Sequence, residues 1–78
     1  MYNLKEGITP VEKYRLTPRQ VEVLRYLALG LQNKQIAYEM NVSEATVKLH
    51  INALLRHLHV ENRTKAVVTA QRLGILEP

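Results

Sequence analysis

Val47, Ile51, Leu54, Leu55 and Leu58 follow one another at spacings of four, three, one and three. At about 100° per residue these positions share one face, so the pattern predicts an amphipathic helix over 44–58. Ser43 is placed to cap it, and Glu44 sits where the helix dipole favours a negative charge. Upstream, Val21, Leu24, Leu27 and Ala28 form the apolar stripe of a helix over 18–29. Thr17 is its cap, Pro18 takes its first position, and Gln20 completes a Thr-x-x-Gln capping box. Gly30 closes it in a left-handed conformation. A short helix over 34–40, capped by Asn33, buries Ile36, Ala37 and Met40. A last helix over 63–73, capped by Asn62 and closed by Gly74, buries Ala66, Ala70 and Leu73. The expected fold is all-α, a four-helix domain.

The two middle helices are joined by only a few residues. Asn41 tolerates positive φ and suits a tight turn. Val42 points inward and Ser43 starts the next helix at once. A short helix, an Asn turn and a longer basic helix favour a helix-turn-helix over a plain αα-hairpin. His59, at the end of the longer helix, stands where a C-capping glycine is expected. Residues 1–15 show no face and are interrupted by Gly7 and Pro10; of two readings, Ile8 and Val11 packed onto the domain or a tail or linker, the second is favoured. The domain itself is expected over 16–78.

Seventy-eight residues without cysteine make one small domain, with neither disulfides nor thiolate metal sites. Three His are few for a metal centre, and no cofactor is expected. No run reaches the about 20 apolar residues of a membrane span. No signal peptide opens the chain, so a soluble cytoplasmic protein is expected. The formal net charge of +4 is unevenly placed. Lys48, Arg56, Arg63, Lys65 and Arg72 face only Glu61 and Glu77 in residues 45–78, which also hold all three His. A basic half suits a phosphate-bearing partner, though it also suits a merely soluble surface.

The outer face of the 44–58 helix carries Ala45, Leu49, Asn52, Ala53 and Arg56, flanked by Lys48 and Thr46, with no acid after Glu44. It admits two readings. One is an ordinary solvent face with a single apolar residue. The other is a DNA-reading face. There an apolar side chain touches a thymine methyl, Asn bonds an adenine edge, and Lys or Arg reaches guanine or phosphate. On the last helix Val67, Val68 and Gln71 are left outside the inner stripe, by chance or as a patch for a second subunit.

Several blocks of the chain resemble the LuxR/FixJ-type (NarL-like) DNA-binding domain of bacterial transcription regulators. They are Leu16-Thr17-Pro18-Arg19-Gln20-Val21-Glu22-Val23-Leu24, Gly30-Leu31-Gln32-Asn33-Lys34-Gln35-Ile36-Ala37 and Val42-Ser43-Glu44-Ala45-Thr46-Val47-Lys48-Leu49-His50. Leu54-Leu55-Arg56-His57-Leu58 and Asn62-Arg63-Thr64-Lys65-Ala66-Val67 follow in the same order and spacing. The resemblance covers 16 to about 75. It implies a third helix that reads the major groove and a fourth that pairs protomers. Many members carry a phosphorylated receiver or a ligand-binding domain ahead of this one.

By position, the resemblance implies base contacts from Lys48, Leu49 and Asn52. It implies phosphate contacts from Asn33, Lys34, Ser43, Thr46, His50, Arg56 and Arg63, and a dimer interface at Thr64, Val67, Val68 and Gln71. Asn33 and Ser43 at helix starts suit phosphate independently. His50 borders the buried stripe, so a core hydrogen bond competes with a phosphate contact there. Gln20 replaces the usual Glu, which keeps the cap and loses an ion pair. Ala53, His57 and Tyr38 replace more polar or cationic residues, which weakens the expected phosphate footprint. Asn52 occupies a variable position that bears on which sequence is read.

Three functions compete. A sequence-specific transcription regulator, or its output domain, has as partners double-stranded DNA, a second copy of itself and RNA polymerase. A sigma-factor promoter-binding segment shares the Thr-Val-Lys helix start but as a rule lacks the Asn-Arg-Thr-capped last helix. A protein-contact module would use Ala45, Leu49 and Ala53 as its patch. An enzyme is disfavoured. No Ser/His/acid set, Gly-rich phosphate loop or metal-ligand spacing occurs, and His57 and His59 do not share a helix face.

Overall fold

The computed structural model describes residues 7–78, and the start of the expected tail, residues 1–6, lies outside them. The described chain is all-helical: α1 Pro10–Lys13, α2 Pro18–Ala28, α3 Asn33–Met40, α4 Glu44–Leu58 and α5 Arg63–Arg72. The four expected helices are α2 to α5, with ends shifted by at most one residue. The short α1 was not expected. Pro10, read as a breaker, occupies its first turn, where a missing N–H costs nothing. The Thr9 hydroxyl accepts from the Glu12 backbone N–H at 3.2 Å, and the Glu12 carboxylate accepts from the Thr9 N–H at 3.3 Å. Val11 and Tyr14 pack against the core, so residues 9–15 extend the packed unit beyond its expected start at 16.

The other starts follow the same chemistry. Thr17 accepts from the Gln20 N–H at 3.1 Å, and the Gln20 side-chain oxygen accepts from the Thr17 N–H at 3.0 Å. Ser43 accepts from the Thr46 N–H at 3.0 Å, and Asn62 from the Lys65 N–H at 2.9 Å. At α3 the cap is Gln32, and Asn33, expected as the cap, is the first helical residue. There the Gln35 side chain reaches back to the Gln32 N–H at 2.8 Å. Asn33 is thereby free of capping duty.

All five helices end alike. A residue with positive φ follows the last turn: Arg15, Gly30, Asn41, His59 and Gly74. Its N–H bonds the carbonyl three residues back, and the next N–H bonds the one five back, as in Leu31 to Tyr26 and Val60 to Leu55, both at 3.1 Å. This is the Schellman arrangement, which satisfies carbonyls that the helix end would otherwise leave open. The residue after each left-handed one is apolar: Leu16, Leu31, Val42, Val60 and Ile75. All five join the core, so each turn also folds the chain back onto it.

α4 is the central element and packs on α2, α3 and α5. Of the predicted inner face Val47, Ile51, Leu54 and Leu58 are buried, and Leu55, at its edge, is half-buried. Leu24, Ile36, Leu54, Val23 and Val47 are the largest fully buried side chains. Each contributes roughly 1.5–3 kcal/mol, against roughly 1 for a cap, so packing sets where α4 lies and Ser43 sets where it starts. On α2, Val23 and Gln20 are buried and Ala28 is exposed, which rotates the inner stripe from its expected position. Val67, expected outside, is half-buried against the core, while Val68 is exposed. Leu76, after α5, is buried and donates its N–H to the Ala70 carbonyl at 3.1 Å.

Candidate nucleic-acid interface

α3, the three residues Asn41–Ser43 and α4 form a helix-turn-helix. The turn is built by Asn41 in the left-handed region (φ 56°, ψ 47°), half-buried Val42 and the Ser43 cap. Because α4 buries the face through Val47, Ile51, Leu54 and Leu58, geometry dictates what it turns outward. Lys48, Leu49, Asn52 and Arg56 are exposed there, and Leu49 is 68% exposed despite its apolar chain. At 100° per residue Lys48, Asn52 and Leu49 follow one another round this outer face.

The sequence-derived residues separate into groups. Asn33, Lys48, Asn52 and Arg63 line one concavity with Ile51, so the starts of α3 and α5 converge on one flank of α4. The Asn33 side-chain oxygen is buried and has no hydrogen-bond partner within the protein. Lys34 is exposed beside Asn33. Ser43 and Thr46 hold each other, with their hydroxyl oxygens 3.0 Å apart. Half-buried Thr46 and His50 lie on the other flank of α4, four residues apart.

Thr64, Val67 and Val68 line a second concavity with Leu27, Leu31 and Arg63, and Gln71 lies outside it. Thr64 and Val68 are exposed, and Val67 and Gln71 half-buried. One contact escaped the sequence reading altogether. The His57 Nδ1–H donates to the Arg15 carbonyl oxygen at 3.0 Å. A carbonyl can only accept, so Nδ1 carries the proton. No local pattern signals a bond between residues 42 apart.

This arrangement defines a helix-turn-helix DNA-binding domain. The model of the luxR family of bacterial regulatory proteins matches residues 14–70, and the chain belongs to that family. It is a DNA-binding transcription-regulator domain and not an enzyme. It is 44% identical over 64 residues to the glycerol metabolism activator of Pseudomonas putida, covering 82% of this chain and 29% of that protein. It is 55% identical over 53 residues to the nitrate/nitrite response regulator protein NarP of Escherichia coli (strain K12), covering 68% of this chain and 25% of that one. The chain thus spans under a third of these relatives. The solved structure of the transcription factor GerE superposes with a TM-score of 0.76 at 34% identity, over 80% of this chain and 92% of that one. No helix among the described residues is long and apolar enough to cross a membrane.

Proposed function

We propose that α4 lies in the major groove of double-stranded DNA and reads its sequence, and that two copies pair through α5. Lys48, Leu49 and Asn52 meet the base edges. Asn33, Lys34, Ser43, Thr46, His50, Arg56 and Arg63 meet phosphates on either side. The supporting observation is the outward face of α4, where Lys48 and Asn52 line one concavity with Asn33 and Arg63 and exposed Leu49 follows them round the helix. A major groove about 12 Å wide admits such a helix, and Lys, Asn and an apolar tip match donors, acceptors and methyl groups displayed there.

Thr64, Val67, Val68 and Gln71 lie within two turns of one face of α5, as a self-complementary interface requires. In this reading the domain is the output end of a regulator. Regions of the protein outside this domain, where present, supply the signal, and RNA polymerase is a further partner of the bound dimer. The protein acts in the cytoplasm, at the nucleoid when bound. The test is a titration of a random-sequence duplex at several salt concentrations. Each phosphate neutralised adds about −0.9 to the slope of log affinity against log salt. Lys34, Arg56 and Arg63 therefore give a slope of about −2.5 or steeper per protomer. A slope near zero contradicts the reading.

A further inference from the structure

A second basic concavity lies at the other end of α4. Its lining is Lys13, Tyr14, Arg15, Arg56, His57 and His59, with no acid among them. We propose that Lys13, Arg15 and His59, beside Arg56, form a second phosphate site that grips the backbone of the same duplex. The proposal rests on the reading that α4 lies in a major groove. It extends that reading to the α1 segment, for which the sequence favours a tail or linker.

Three observations carry it. First, the cluster is built and held. α1 is capped at both ends, and Leu16, just after it, is buried. The His57 Nδ1–H bond to the Arg15 carbonyl ties the segment to α4. The Lys13 ammonium rests over the Tyr14 ring, 5.6 Å from its centre.

Second, the charge has no ion-pair partner among the described residues. The ion pairs among the described residues are Arg19–Glu22 and Lys65–Glu61, both elsewhere. The nearby Glu12 carboxylate is engaged by Thr9, on the opposite end of α1. Like charges held together without a counter-charge favour an anion.

Third, the position fits a second strand. A helix in a groove has one strand on each flank. Asn33 and Arg63 sit on the flank that bears Lys48 and Asn52. Thr46, His50 and His57 run down the opposite flank, by the angular positions of these residues on the helix. At 1.5 Å per residue, His57 lies about 16 Å beyond Thr46 along the axis. The cluster therefore meets the second strand farther along than Thr46 and His50 do, where the earlier residues leave the backbone ungripped.

The test repeats the salt titration on the same random duplex with the Lys13→Gln/Arg15→Gln variant and a control, Arg19→Gln/Arg25→Gln, which removes the same charge from α2. The slope becomes shallower by about 1 to 2 in the first variant, at about 0.9 per phosphate, and keeps its wild-type value in the control. Lys13→Gln alone, a single exposed side chain, shows about half the change and serves if the double variant folds poorly. An unchanged slope in the α1 variants, or an equal change in the control, overturns the site. Wild-type protein without salt-dependent duplex binding overturns the α4 reading itself, a distinguishable result.

Discussion

Thr17 and Gln20 hold each other's backbone: the Gln20 N–H donates to the Thr17 hydroxyl at 3.1 Å, and the Thr17 N–H to the Gln20 amide oxygen at 3.0 Å. Gln20 is also the one buried polar residue among the described residues, 6% exposed. A neutral amide closes this cap without taking a charge out of water. Gln20→Ala leaves the Thr17 N–H open and removes packing. It is expected to lower stability by about 1–3 kcal/mol in urea denaturation, with an unchanged m-value.

His59 ends α4 at φ 57°, in a region that costs a side-chain-bearing residue roughly 1 kcal/mol. His59→Gly is expected to raise stability by about 0.5–1 kcal/mol. Gly74, at φ 79°, is the reverse case: an added Cβ meets nothing within 4 Å, so only the backbone resists. Gly74→Ala is expected to lower stability by about 1 kcal/mol. Thermal melts of the two variants should move in opposite directions.

Lys48 and Arg56 are both exposed cations on α4, and their proposed roles differ. Lys48→Ala should cost roughly 1–3 kcal/mol on a preferred sequence and much less on random duplex. Arg56→Ala should weaken both by about the same factor. Anisotropy titrations on the two duplexes separate these outcomes, and equal losses for Lys48→Ala would remove it from the base-reading set.

Val68 is 51% exposed on α5 between Thr64 and Gln71. Val68→Glu leaves the folded monomer intact, because nothing buried is disturbed. It should abolish cooperative occupation of paired half-sites while single half-site affinity changes less than threefold. Cooperativity that survives the substitution would move the pairing surface away from α5.

The periodicity of α4 was legible because its inner positions carry Val, Ile and Leu without exception, and Ser43 marks its start. α1 was missed although its signal was present. Thr9-Pro10-Val11-Glu12 repeats the Thr-Pro-x-Gln pattern of Thr17 to Gln20, and Pro10 read as a breaker hid it. The cap of α3 was misplaced because Asn is the stronger capping residue, whereas here Gln35 reaches back to Gln32. Val67 and Ala28 show where a stripe of small residues leaves the rotation of a helix undetermined. On the site side, the rotation of Lys48, Leu49 and Asn52 to the surface followed from the buried face alone. The convergence of Asn33 and Arg63 on Lys48 needed the packed helices, and the bond from His57 to Arg15 needed the full fold.

In the proposed function α4 reads sequence from the major groove as part of a two-fold pair. The most direct test is selection of bound sequences from a random duplex pool at near-physiological salt. A sequence-reading pair enriches a motif with two-fold symmetry and half-sites about one helical turn apart. Binding without enrichment, abolished by moderate salt, would contradict it.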